Sequence, residues 1–537
     1  MAFLASSLFE NLSLAPTLSP ANRTMNPLRI TAQLCFLLAC ASLPMACQSP
    51  PPTNAVDAKN VEQPPVKDAR YISLPEPGPR PEWAPPEIQR VKITEELTLW
   101  HLQRHGAPLV SVHLILNQGA ASDPEGQAGL TALTIDMLDE GVTGLTSLEL
   151  SDEFGQLGTD YSARTGLDYS LLSLNALAEN TPRSLELLAK VVLSPEFPPA
   201  EFQRRKKHHL AQAMSRKDQP QSAMNIAVAA SLFGKGYAGR PIEGTTSSLK
   251  ILTIDSVRAH AKELLAADSA QLVIVGDIQL EKAQALAQQF FGTWHGKRQE
   301  LKTSIQSPVM HPEAIIVDYP GAPQSALAVV RRAGDVHSPQ YYAESVMNER
   351  LGGMFTSRIN LNLREDKGYT YGATSFFQRY RQAGYLGIFS QVRTETTGPS
   401  IDEIFREIQG LCAQSPLTDA ERNEAVEGLL LGFPLKFERL DQLGLRIASL
   451  PIYERPVDFW FTWPAEIAAI TTEKSRAAIE PYCDLQGYQV VVAGDAKTIL
   501  PQLEKLGLKT SMMSPEGERL SPQKKEDSPI PPQPLAN

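Results

Sequence analysis

The sequence predicts an α+β protein built from two homologous α/β-sandwich halves in tandem, each of about 200 residues. Three observations carry that expectation. Ala270-Gln-Leu-Val-Ile-Val-Gly-Asp277 and the helical run ending near Gly292 are echoed by Tyr488-Gln-Val-Val-Val-Ala-Gly-Asp495 and a run ending near Gly507. Each copy reads as the last strand and helix of a unit. Both units also open on strand-like sequence, Leu97–Leu102 and Leu109–Leu116 in the first, Ala314–Val317 and Ala326–Val330 in the second. The prolines, 42 in all, gather outside these units at the two ends of the chain.

In chain order, residues 1–47 form a signal region. Met25-Asn-Pro-Leu-Arg29 gives a charged start and Ile30–Met45 an apolar run too short for a lasting membrane span, so translation is expected to begin at Met25. Leu37-Leu-Ala-Cys40 resembles a bacterial lipobox; Met45-Ala-Cys47 resembles it less closely but leads straight into the proline-rich segment. Cys40 and Cys47 are both candidates for lipid, with an ordinary secretory signal as the alternative. Residues 48–89, with Pro50-Pro-Pro52, Pro64-Pro65 and Pro85-Pro86, read as an extended tether. The halves occupy 90–300 and 309–510, and 511–537 reads as a disordered tail. The expected location is the periplasmic side of a bacterial envelope, as an outer-membrane lipoprotein touching the membrane through its lipid alone. Cys412 and Cys483 lie in the second half. In an oxidising compartment they can pair, and a buried helical thiol at Cys412 is the alternative; the sequence leaves both open.

A net charge of −10 over 537 residues argues against a nucleic-acid partner. The Gly-Asp pairs end strands without phosphate-loop spacing. Arg204-Arg-Lys-Lys207 reads as a solvated helix face. His101 and His105 are four apart in a strand, and His208 and His209 are helical neighbours pointing in different directions, so none of them assembles a metal site.

Candidate chemistry sits in Leu361–Ala373. Phe355, Ile359 and Leu363 recur at helical spacing, Gly368 is a helix stop, and Tyr369, Tyr371 and Ala373 alternate as in a strand. Arg364 and Tyr371 flank the turn. A guanidinium and a phenol are poor general bases but good donors to a carbonyl oxygen or oxyanion. On spacing alone, a surface arginine beside a core tyrosine accounts for them more simply.

Read together, Gly239-Arg-Pro-Ile-Glu-Gly244, Tyr341-Tyr-Ala, Leu351-Gly-Gly-Met-Phe-Thr-Ser-Arg358, Leu363-Arg-Glu and Lys367-Gly-Tyr-Thr-Tyr371 change that balance. In this order they resemble the pitrilysin/insulinase family of zinc peptidases, the inverzincins, from Arg90 to Leu508. The resemblance implies halves like those of insulinase and the mitochondrial processing peptidase. It also implies that Arg364 and Tyr371 bind the substrate at its scissile carbonyl, facing a zinc site. Inverzincins carry zinc on an H-x-x-E-H helix and a glutamate about 75 residues on. Gly129–Gly141 resembles that helix, but Ala132 and Asp136 replace the histidines and Ile135 the glutamate, while the distal count reaches Ala211 or Gln212. Catalytic zinc needs three protein ligands. The resemblance therefore implies no cofactor on this chain and a non-metal-binding subunit of a heterodimeric periplasmic zinc metallopeptidase, inactive alone. A partner subunit with H-x-x-E-H would bring the zinc and general base. This chain would bring Arg364, Tyr371 and half of the chamber for a peptide substrate. The alternative is a catalytically inactive homologue acting as a binding or scaffold protein.

Overall fold

The apolar runs that frame each half become central strands, because a strand covered on both faces has no solvent side on which to alternate. The computed structural model describes residues 83–298 and 313–520; the signal region, the tether as far as residue 82 and the tail from 521 lie outside the described residues. In the first half, β1 (Gln89–Lys92), β2 (Thr98–Gln103), β3 (Leu109–Leu116), β4 (Asp160–Thr165), β5 (Ser170–Leu177) and β6 (Ala270–Gly276) lie in the order β1-β2-β6-β3-β5-β4. In the second, β7 (Glu313–Asp318), β8 (Gln324–Ala333), β9 (Thr370–Arg379), β10 (Gly384–Arg393), β11 (Gln489–Gly494), β12 (Lys509–Met513) and β13 (Arg519–Leu520) lie in the order β9-β10-β8-β11-β7-β12-β13.

The repeated segments are β6 and β11. β6 runs parallel to β2 and antiparallel to β3, and β11 runs parallel to β7 and antiparallel to β8. The pairs β3–β5, β5–β4, β8–β10 and β10–β9 are all antiparallel. The series β2-β6-β3-β5-β4 therefore matches β7-β11-β8-β10-β9 in order and direction, so the internal repeat in the sequence is a repeat of topology.

The helices that matter below are α1 (Leu130–Asp136), α2 (Pro199–Lys217), α3 (Pro220–Phe233), α4 (Tyr341–Asn348), α5 (Asp419–Gly432), α6 (Leu440–Ile452) and α7 (Phe459–Ala468). Two of them trade halves. α3 belongs to the first half in sequence, yet lays Ala223, Met224, Ala227 and Val228 on Ile315, Ala328 and Val491 of the second sheet. α6 returns the exchange by covering β3 and β6. The boundary near residue 300 thus separates the sheets without separating the cores.

Both ends of the folded region run further than the sequence indicates. Trp83, assigned to the tether, sets its ring 5.7 Å from Phe433 and 5.1 Å from Phe437. Residues 511–520, assigned to the tail, are folded because β12 extends the sheet parallel to β7, and Glu516 pairs with Lys217 at 3.0 Å. Cys412 and Cys483 form a disulfide, with Cα atoms 5.8 Å apart, which settles the alternative left open by the sequence. No helix among the described residues is long and apolar enough to cross a membrane.

Candidate functional site

In the second half, α4 leads into two π-helical turns, Glu349–Gly353 and Leu361–Asp366, with a short α-turn at Arg358–Asn360 between them. Ile359 and Leu363 are fully buried, as their spacing predicts, whereas Phe355 precedes the helix and is exposed. The Arg364 guanidinium stands 4.6 Å from the Phe355 ring centroid and pairs with Glu365 at 3.2 Å. Gly368, at φ +62°, turns the chain into β9. Tyr371 is not a core tyrosine; it is 90% exposed. The register of β9 against β10 breaks between Thr370 and Ala373, and such a bulge re-aims a side chain that strict alternation would turn inward. Thr370 Oγ1 donates to the Gln391 carbonyl at 2.6 Å and accepts from Gly372 N–H at 3.0 Å, which holds the bulge.

The same segment carries a hydrogen-bond network that sequence reasoning missed. Asn360, 4% exposed, accepts from Ala373 N–H at 3.0 Å and donates to the Phe355 carbonyl at 2.7 Å, so one side chain ties the loop under Arg364 to the strand carrying Tyr371. Arg358 grips Glu421 on α5 through two hydrogen bonds of 2.9 and 2.8 Å, and Arg350 adds a third at 3.0 Å. Burial opposes ionisation of Glu421, yet Arg358, the Thr418 N–H and Arg350 hold its carboxyl down to about 2. Gly352 is required by close approach, since a Cβ there would lie 2.5 Å from Ser375 Oγ. An asparagine inside an apolar helical run looks the same in sequence whether it is buried or exposed, so nothing in the pattern marked Asn360.

The first half is arranged differently. Asp123 accepts from Gly129 and Thr131 N–H groups, each at 2.7 Å, and so starts α1; burial pushes its carboxyl up to about 6. Arg240, in the Gly239–Gly244 motif, braces the same loop by donating to the Asp123 carbonyl at 2.7 Å. On α1, Ala132 is 7% exposed and Ile135 is fully buried in the core. Asp136 meets His209 Nε2 of α2 at 2.7 Å. Sequence reasoning did not find this pairing. The two residues are 73 apart, and α2 buries Phe202, His209 and Ala213 while Ala211 and Gln212 face solvent. That seven-and-eleven spacing is the signal that would have found His209.

The basic run of α2 is also more than a solvated face. Arg204 and Arg205 both bind Glu140, whose side chain is 1% exposed, and Lys206 donates to the carbonyls of Lys250 and Leu252 at 2.8 and 2.7 Å. Burial alone would push Glu140 up, but the two guanidiniums hold its carboxyl below the usual range. Among the described residues no group of three or more His, Cys, Asp or Glu side chains is placed to hold a metal ion. Zinc does not fit this face: Asp136 and His209 are bonded to each other, and the general-base position is an isoleucine in the core.

Comparison with known proteins agrees with this architecture. Residues 101–246 match the insulinase (peptidase family M16) profile, and residues 252–429 match that of the peptidase M16 inactive domain. An uncharacterized zinc protease, YmxG, of Bacillus subtilis (strain 168) is 22% identical over 280 residues, covering 52% of this chain and 68% of that protein. An uncharacterized zinc protease of Rickettsia felis is 19% identical over 326 residues, covering 59% and 76%. The crystal structure of a peptidase M16 inactive domain from Pseudomonas fluorescens superposes with a TM-score of 0.71 at 23% identity, covering 76% of this chain and 98% of that one. A protease from Helicobacter pylori gives 0.71 at 14% identity, covering 77% and 100%. With profiles matching in succession from residue 101 to residue 429 and the same fold in both neighbours, the chain belongs to the insulinase (M16) family of peptidases, and its second half is of the inactive-domain type.

Proposed function

We propose that this chain is the non-metal-binding subunit of a heterodimeric zinc metallopeptidase, with Arg364 and Tyr371 holding the carbonyl of a peptide substrate. One contrast supports this reading. The α1 face is closed by the Asp136–His209 pair, while the half-buried Arg364 and the exposed Tyr371 flank a turn that Asn360 ties together. The Arg364 guanidinium and Tyr371 hydroxyl donate to the substrate oxygen, and such donors are worth most where negative charge develops. A partner subunit carrying H-x-x-E-H supplies the zinc and the water-activating glutamate. Alone, the chain is inactive. The Cys412–Cys483 disulfide supports an oxidising compartment such as the periplasm, with a lipid on Cys40 or Cys47 as the membrane anchor.

The test begins with co-purification of the native partner and reconstitution of the pair. Tyr371→Phe and Arg364→Ala are each expected to lower kcat by about 10²–10³ with assembly and the partner's zinc intact. The double variant is expected to lose less than the product of the two, because both donors serve one oxygen. Activity within about twofold of wild type in both single variants would leave the chain as an inactive binding or scaffold protein.

A further inference from the structure

The second half encloses a cavity of about 20 Å³, which is room for one water-sized guest. It lies apart from the Arg364 turn, walled by α4, β9, the first π-helical turn, the segment Pro434–Phe437 and α7, with α5 contributing Leu429. Three wall residues bring a buried polar atom with no hydrogen-bond partner: Tyr341 Oη, Arg379 Nε and Trp463 Nε1. Trp463 and Tyr341 are 1% and 3% exposed, so bulk water does not reach them. Three other polar groups of the wall are satisfied: Ser345 Oγ donates to the Tyr341 carbonyl at 2.6 Å, Arg379 Nη2 donates to Glu344 at 2.6 Å, and Asn348 exchanges hydrogen bonds with Ser375.

The unmet groups are unequal in kind. Indole N–H and guanidinium Nε–H only donate, and the Lys436 ammonium, 5.9 Å from the Trp463 ring centroid, adds a third obligate donor. Tyr341 can turn its hydroxyl either way. Water offers two lone pairs to this set, whereas a spherical anion accepts from all of it without directional demand. Charge around the cavity is net positive: Arg379 is balanced by Glu344, while Lys436 and the neighbouring Arg446 guanidinium share the single Glu349 carboxyl. Burial and Arg446 push the Lys436 ammonium down to about 8, and burial pushes the Glu349 carboxyl up to about 7 against the pull of Lys436.

We propose that this cavity is a binding site for one small monovalent anion of halide size, held by the Trp463 and Arg379 N–H groups, the Tyr341 hydroxyl and the Lys436 ammonium. The inference does not rest on the peptidase reading. Glu349 is the acid facing the guest, opposite Lys436 of the Pro434–Phe437 segment, Arg379 of β9 paired to Glu344 of α4, and Arg446 of α6. Its ionisation repels an anion, so binding weakens as pH rises through about 7.

Melting of the purified chain in sodium chloride against sodium gluconate of equal ionic strength tests the site. Tm is expected to be about 2–4 °C higher in chloride, with the gain larger at pH 6 than at pH 8. Trp463→Phe keeps the ring stacked on Phe433 (centroids 4.5 Å apart) but removes the N–H, and is expected to abolish the gain; Lys436→Met serves if that variant fails to fold. Crystals grown in bromide are expected to show an anomalous peak within hydrogen-bond distance of Trp463 Nε1. Equal melting curves in the two salts, a cavity holding water only in bromide crystals, or a chloride gain unchanged in both variants overturns the proposal.

Discussion

Replacing Asn360 with leucine, close in size and unable to hydrogen bond, asks whether the Arg364–Tyr371 turn is held in place by that side chain. In the wild type Asn360 satisfies two backbone groups at 3.0 and 2.7 Å. The Ala373 N–H is buried inside the bulge, and leaving it unmet costs about 1–3 kcal/mol. The Phe355 carbonyl sits beside an exposed side chain and can turn to water, so its loss costs about 0.5–1.5 kcal/mol. Asn360→Leu is therefore expected to lower stability by about 2–4 kcal/mol. Asn360→Asp keeps the acceptor for Ala373 but buries a carboxyl against the Phe355 carbonyl, so about 1 kcal/mol is expected where that carboxyl is protonated and more where it is ionised. Urea unfolding at constant m-value reads both numbers. In the reconstituted heterodimer the leucine variant is expected to lose kcat, because the loop under Arg364 and the strand carrying Tyr371 are no longer fixed to each other, while the aspartate variant recovers most of it. A leucine variant as stable as wild type, or leucine and aspartate variants that behave alike, refutes the clamp.

Two further outcomes are expected from the covalent and ionic ties around the same half. The disulfide spans 71 residues, and the chain-entropy model assigns about 4 kcal/mol to a loop of that length, so Cys412→Ala with Cys483→Ala is expected to lower the free energy of unfolding by that amount and the urea midpoint accordingly; a midpoint insensitive to the double change or to reductant counts against it. Glu421, with its carboxyl held down to about 2 from an ordinary 4.5, contributes stability that is present above pH 4.5 and lost as pH falls toward 2. Glu421→Gln is expected to be less stable at neutral pH and to show a shallower acid slope across that window, and parallel acid curves for the two proteins would exclude the linkage.

The strands were legible because burial on both faces selects uninterrupted Val, Ile and Leu, and because the chain wrote β6 and β11 in nearly the same words. Which sheet a helix covers was not legible: the apolar stripes of α3 and α6 state that they are buried, not where. The bulge that exposes Tyr371 was not legible, since it is set by Thr370 and its bonds across the strand rather than by the side-chain pattern; only the simpler alternative of a core tyrosine fails. Arg204 and Arg205 were misread for a related reason. Their partner Glu140 is a type of residue almost never fully buried without a partner, and sequence gives no sign of when two guanidiniums provide one.

The physical arrangement of the Arg364–Tyr371 turn differs from that of the α1 face. Tyr371 is exposed and Arg364 half-buried over the Phe355 ring, and side chains so placed need little support by themselves. The segment between them, however, holds a buried asparagine bridging two backbone groups, and a partly buried carboxylate gripped by two arginines ties the preceding turns to α5. Burying such charges carries a desolvation cost that close geometry only partly offsets, and apolar packing of the same volume is often as stable. Core stability alone does not call for this network. What it provides is a fixed spacing between the loop that supports Arg364 and the bulge that presents Tyr371. On the first half the equivalent freedom is gone, because Asp136 is bonded to His209 and Ile135 is in the core. One half thus pairs its polar groups inward, while the other fixes the spacing between the loop under Arg364 and the strand that presents Tyr371.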